Sequence, residues 1–77
     1  SKEILENKIG KKYKILIENI SFDNNYFIGR TMQDVPEEDG LVYIKNEQNY
    51  KLEDVLNNFV NCQIEEVSNY DLIGKII

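Results

Sequence analysis

Seventy-seven residues, 42% of them hydrophobic and 30% charged, make one domain at most, and a chain this small removes only about 60% of its unfolded surface from water on folding. The formal net charge of −5 is uneven: residues 1–14 set five lysines against Glu3 and Glu6 and carry +3, which leaves −8 on the rest, a body that attracts basic proteins and repels nucleic acid except at a small basic edge. One cysteine and no histidine exclude an internal disulfide, a zinc quartet, a three-cysteine iron–sulfur cradle and the usual general base near neutral pH.

No apolar run approaches the roughly 20 residues that cross a bilayer, so no membrane contact is expected. The lone Cys62 fits a reducing, cytoplasmic setting. The chain opens on Ser-Lys-Glu without Met or an apolar leader, and is expected to be a piece of a longer protein.

Residues 1–8 read as a linker or helical tail of an upstream domain, with Ile4, Leu5 and Ile9 as the only apolar anchors before Gly10. The stretch 11–20, KKYKILIENI, alternates: Tyr13, Ile15 and Ile17 share one face, and Lys12, Lys14, Leu16 and Glu18 the other, the period of a first strand. SFDNN supplies Asp and Asn for a tight turn, so a hairpin returns through YFIGRT. Gly29 within that second strand predicts a bulge or sharp bend.

MQDVPEEDG reads as a loop, since Pro36 lacks a donor, Val35 before it is pushed to extended geometry and Gly40 supplies a turn. LVYIK is a third strand. Residues 51–58 predict about two turns of helix, with Leu52, Val55 and Leu56 on one side. FVNCQIEEV alternates again, aligning Val60, Cys62 and Ile64, and DLIGKII closes the chain as a fifth strand. Five short strands with one helical turn before the fourth predict an all-β fold, a small five-stranded antiparallel OB-like barrel. The tyrosines and phenylalanines are expected in its core and rim rather than as a stacking platform.

Asp34, Glu37, Glu38 and Asp39 place four carboxylates within six residues. Held by Pro36 and Gly40, they can grip Lys or Arg of a partner, although charge alone describes a solvated turn. The spacing is not that of an EF-hand, and no cleft for paired catalytic carboxylates is evident. Arg30 is read as a phosphate contact or as an internal partner for Asp34 or Asp39. Cys62, on an alternating apolar face, is expected to be a buried small hydrophobe. Lys8, Lys11, Lys12 and Lys14 either bind RNA or solubilise the first strand.

GRTMQDVPEEDGLVYIK, followed by FVNCQIEEVSNYDLIGKII, resembles the TRAM domain that ends the RimO-type methylthiotransferases, over residues 9–77. In that family the loop reads Gly-Arg-Thr, two variable residues, then Asp-Ala-Pro-Glu-Ile-Asp-Gly before a Val-Tyr-Ile strand. Gly29, Arg30, Thr31, Asp34, Pro36, Glu37, Asp39, Gly40, Val42, Tyr43 and Ile44 match, as do Tyr70, Asp71, Leu72 and Gly74 of the last strand. Val35 stands where Ala is usual, Glu38 replaces an apolar residue, and Asn57-Asn58 falls where a Gly-Asp turn is common.

The resemblance implies a parent enzyme with iron–sulfur clusters and S-adenosylmethionine in other domains. Such enzymes methylthiolate an aspartate of small-subunit ribosomal protein twelve. The domain itself is then expected to hold no cofactor or metal and to perform no catalysis, but to bind substrate through Arg30, Asp34, Glu37, Glu38 and Asp39. Its expected partners are that basic ribosomal protein and the parent's own radical-SAM domain. The alternative is an RNA-binding module of a tRNA methylthiotransferase, using Lys8, Lys11, Lys12, Lys14 and Arg30 with Tyr and Phe for stacking.

Overall fold

A computed structural model describes residues 5–31, 41–69 and 71–77. Five strands, β1 (Lys12–Ile20), β2 (Tyr26–Thr31), β3 (Val42–Lys45), β4 (Phe59–Ser68) and β5 (Asp71–Ile76), and one short helix, α1 (Leu52–Val55), follow in chain order. The strands close into a barrel in the order β1-β2-β3-β5-β4, with β4 returning to β1. Closure pairs every strand on both sides and removes the unpaired edges that invite aggregation. Four of the five ladders are antiparallel, and β3 and β5 run parallel, Tyr43 facing Ile73 and Ile44 facing Gly74. The parallel pair follows from placing β4 outside β5, so that β5 enters beside β3 in the same direction.

Alternation sorts each strand into an inner and an outer face. Ile15 and Ile17 of β1, Phe27 of β2, Val42 and Ile44 of β3, Cys62 and Ile64 of β4 and Leu72 of β5 are buried and fill the barrel. Leu5, in the segment read as a tail, is only 3% exposed and belongs to the same core. Residues 5 and 6 are helical and run into a turn whose Gly10 N–H donates to the Ile64 carbonyl at 2.7 Å, which seats the turn against β4.

Two inward glycines allow the sheet to curl. A Cβ on Gly29 would strike the Leu16 carbonyl and lie 2.8 Å from Ile15 Cγ2, and one on Gly74 would lie 2.5 Å from Cys62 Sγ and 2.6 Å from the Gln63 carbonyl oxygen. Each faces an isoleucine that adjoins a break in register. Gly29 pairs with Ile17 before the shift between Ile17 and Asn19, and Gly74 pairs with Ile64 before the shift between Ile64 and Glu66. The irregularity expected at Gly29 therefore falls on the opposing strand: the extra residue is Glu18 of β1, and Gly29 supplies the room for β1 to bend.

The helix is shorter than its apolar spacing predicts. Leu56 is already extended (φ −58°, ψ 132°) and Asn57 is left-handed (φ 62°), a conformation Asn tolerates better than most residues. Leu52 and Val55 pack on the core while Leu56 stays exposed. Asn24 in the β1–β2 turn, Asn49 between β3 and α1, and Asn69 between β4 and β5 are left-handed as well.

The aromatic residues depart from expectation. Among those described, Phe27 alone is fully buried; Tyr13, Tyr26 and Tyr43 are half-buried, and Phe22, Tyr50 and Phe59 are exposed. Tyr13 packs against the edge of the core, Tyr26, Tyr43 and Phe59 take other strand positions, and Phe22 and Tyr50 lie in turns.

Urea unfolding should rank the core accordingly. Phe27→Ala is expected to cost about 3–5 kcal/mol through the cavity it leaves. Gly74→Ala should cost about 1–3 kcal/mol, because its neighbours on β4 must move.

Candidate functional site

Of the residues singled out for substrate binding, Arg30 is described, and Asp34, Glu37, Glu38 and Asp39 lie outside the described residues, as does the rest of 32–40. Arg30 stands on the outer face of β2, and its Nε lies 3.1 Å from Glu18 Oε1. Its described ion-pair partner is thus the bulge residue of β1. The second bulge residue, Glu65, acts likewise: its carboxylate oxygens lie 3.0 Å from Lys45 Nζ and 3.9 Å from Lys75 Nζ. A hydrogen bond from Lys45 to Glu65 holds the Lys45 ammonium pKa above its ordinary value. A bulge re-aims its side chain out of the regular alternation, and here both re-aimed glutamates gather cations from other strands.

A groove of about 530 Å³ lies on the outer wall over β2, β3 and β5, lined by Ser21, Phe22, Asp23, Tyr26, Tyr43, Ser68, Asp71 and Ile73. Tyr26 and Tyr43 meet edge to face, with ring centroids 6.5 Å apart and planes at 88°, an arrangement favoured by the ring quadrupoles. Tyr43 is paired with Ile28 on one side and Ile73 on the other. The apolar floor is therefore a row across three strands.

Both carboxylates in the groove are fixed by backbone donors. In the β1–β2 turn, the Asn25 N–H and the Ser21 hydroxyl donate to Asp23 Oδ1 at 3.0 and 2.7 Å, while Ser21 Oγ accepts from the Tyr26 N–H at 3.0 Å. The Ser21 hydroxyl first, and then the Asn25 N–H, hold the Asp23 carboxyl below its ordinary pKa. At the other end, Asp71 Oδ1 accepts from the Leu41 N–H at 2.9 Å, and the Leu72 N–H donates to the Leu41 carbonyl at 3.1 Å. Asp71 thus anchors the point at which the chain enters β3 from residues 32–40.

Sequence reasoning named none of the groove residues as a site. The available signal was the outward register of Tyr26, Tyr43 and Ile73, three apolar side chains at positions where alternation calls for polar ones. A smaller hollow of about 380 Å³ beside Asn24, Asn46 and Tyr50 is structural. The buried Asn46 amide donates to the Asn24 and Tyr50 carbonyls at 3.3 and 2.9 Å and accepts from the Tyr50 N–H at 2.9 Å, clamping the turn after β3.

Cys62 lies inside the barrel, where burial pushes its thiol up to about 11. Lys8 places its ammonium 5.8 Å from the centre of the Tyr13 ring. Among the described residues no three His, Cys, Asp or Glu side chains cluster as metal ligands, and no helix is long and apolar enough to cross a membrane.

A family model of the TRAM domain matches residues 9–77. The chain belongs to the TRAM domain family. Three curated relatives carry this domain within proteins named ribosomal protein uS12 methylthiotransferase RimO. The relative from Alkaliphilus oremlandii is 50% identical over 76 residues, covering 99% of this chain and 17% of its own length. That from Clostridioides difficile is 38% identical over 77 residues, 100% of this chain and 16% of its own length. That from Prochlorococcus marinus is 40% identical over 77 residues, 100% and 17% respectively. The TRAM domain thus spans about a sixth of each of these relatives.

Two substitutions check the local chemistry. Asp71→Ala is expected to cost about 1–3 kcal/mol and to speed hydrogen exchange at the Leu41 amide, whereas Asp71→Asn keeps the acceptor and should leave that exchange slow. Cys62 should resist iodoacetamide in the folded chain and react in urea. Its folded pKa of about 11 lies above the ordinary 9.0, so its contribution to stability is whole below pH 9 and is lost as pH rises to 11. A Cys62→Ala chain should lack that part of the alkaline fall in urea midpoint.

Proposed function

We propose that this TRAM domain holds a basic ribosomal protein, uS12 of the small subunit, while other domains of a radical-SAM methylthiotransferase modify one of its aspartates in the cytoplasm. The TRAM domain contributes recognition and no chemistry. The observation that carries this reading is the charge of the groove. Asp23 and Asp71 line it, Glu66 faces Ile73 across β4 and β5, and among the described residues no Lys or Arg lines it. β3, which floors it, is entered from the segment holding Asp34, Glu37, Glu38 and Asp39. A net charge of −5 steers a basic protein toward such a surface, and the relatives are named for uS12 methylthiotransfer.

An iron–sulfur cluster, which the relatives' name implies for the parent, is held by several accessible cysteine thiolates, and this domain has one cysteine. That cysteine is enclosed by the barrel with its thiol pKa raised, the opposite of the accessible thiolates a cluster needs. The cluster belongs to the rest of the parent, whose radical-SAM domain is a second docking partner.

An RNA-binding reading draws on the exposed rings of Phe22, Tyr50 and Phe59 and on Lys8, Lys11, Lys12 and Lys14. It is weakened where the groove lies, because Arg30, Lys45 and Lys75 are drawn to Glu18 and Glu65. Binding of tRNA that falls steeply with salt and is lost on replacing Lys11, Lys12 and Lys14 by Ala would establish it.

Charge reversal tests the protein reading. The double variant Glu37→Lys, Asp39→Lys should weaken uS12 binding at least about tenfold and flatten its dependence on ionic strength, as measured by calorimetry at low and physiological salt. An unchanged affinity would sink the reading.

A further inference from the structure

The groove holds two preset carboxylates and an unstacked aromatic pair, and this combination specifies more than a preference for positive charge. We propose that it takes a single arginine side chain of the partner, with the guanidinium laid on the Tyr26–Tyr43 pair and held between Asp23 and Asp71. The inference deepens the reading above, from which it takes a basic partner.

Four observations carry it. Tyr26 and Tyr43 are perpendicular, so their faces do not cover each other and one is open to a planar cation. Asp23 and Asp71 lie on different elements, and each is oriented by a backbone N–H; the ordering cost of gripping a cation is met in the free domain. The Ser21 and Asn25 hydrogen bonds favour the ionised form of Asp23. Lys45, the cation in register with Tyr26, is drawn away to Glu65 at 3.0 Å, and the groove keeps its negative charge. Arginine suits this site better than lysine, because its flat, weakly hydrated guanidinium stacks on a ring while its edge donates to carboxylates on two sides. Phe22, fully exposed at the tip of the β1–β2 turn, lines the same groove and can cover the aliphatic stem.

The test is a nuclear magnetic resonance titration of the isotopically labelled chain with three short Gly/Ser peptides that differ only in a central arginine, lysine or citrulline. The arginine peptide should shift the signals of Tyr26, Tyr43, Asp71 and Ile73 in a saturable way, and citrulline, its uncharged isostere, should bind at least about tenfold more weakly. Tyr43→Leu and Asp71→Asn should each weaken the arginine peptide severalfold while leaving the rest of the spectrum in place; the asparagine retains the acceptor for Leu41. Equal binding of citrulline, lysine as tight as arginine, or shifts confined to other residues would overturn the proposal. So would a uridine oligonucleotide that displaces the arginine peptide at lower concentration, which would give the groove to RNA. A uS12 arm separates this inference from the reading beneath it. If uS12 binds with undiminished affinity to the Tyr43→Leu chain, the arginine site is wrong and the partner stands. If uS12 fails to bind while the arginine peptide behaves as expected, the site stands and the partner is wrong.

Discussion

Closing five short strands into a barrel forces two of them to bend sharply, and the bend is possible only where a neighbouring strand has no side chain in the way. Gly29 and Gly74 are those places. Each is an inward position at which the neighbouring strand crosses too near for a Cβ, and each faces an isoleucine next to a bulge. Glycine and bulge form one device: the extra residue coils β1 or β4, and the missing side chain lets the coil pass. The two devices bend the two strands, β1 and β4, that meet at the closing seam.

The same device distributes charge on the outer wall. Each bulge residue is a glutamate, and each turns toward cations of other strands, Glu18 to Arg30 of the adjacent β2, and Glu65 to Lys75 of the adjacent β5 and to Lys45 of β3 beyond it. Surface pairs of this kind contribute little to stability, about 0–1 kcal/mol each, but their placement matters. They pair Arg30, Lys45 and Lys75 with carboxylates, and Asp23 and Asp71 are the charged groups among the described lining of the groove. The bulges that close the barrel thereby also place the charge pairs on its outer wall.

The turns complete the arrangement. A Ser-Phe-Asp-Asn-Asn turn uses Asp23 to hold its own backbone, and in doing so orients that carboxylate and projects Phe22. Asp71 does the same across thirty residues of chain by binding the Leu41 amide. Both carboxylates serve the fold and the groove at once.

Alternation along KKYKILIENI, YFIGRT and FVNCQIEEV was sufficient to determine the strands, their inner faces and the burial of Cys62, because the strand period of two maps directly onto inside and outside. The Gly-Arg-Thr and Tyr-Asp-Leu-Ile-Gly signatures carried the resemblance to the family. Only the tertiary structure decided where the bulges fall, since a bulge belongs to a pair of strands and Gly29 marks its partner's irregularity rather than its own. It also decided which aromatics go inside. Eight rings compete for a barrel whose volume is set by closure, and Phe27 fills it while Tyr26 and Tyr43 are left outside. The helix ended at Val55, with Leu56 extended and Asn57 left-handed after it, a stop that apolar spacing does not encode. The groove was illegible for a related reason: its residues come from the β1–β2 turn and from β2, β3, β4 and β5, and the pairing of β3 with β5 brings them to one wall.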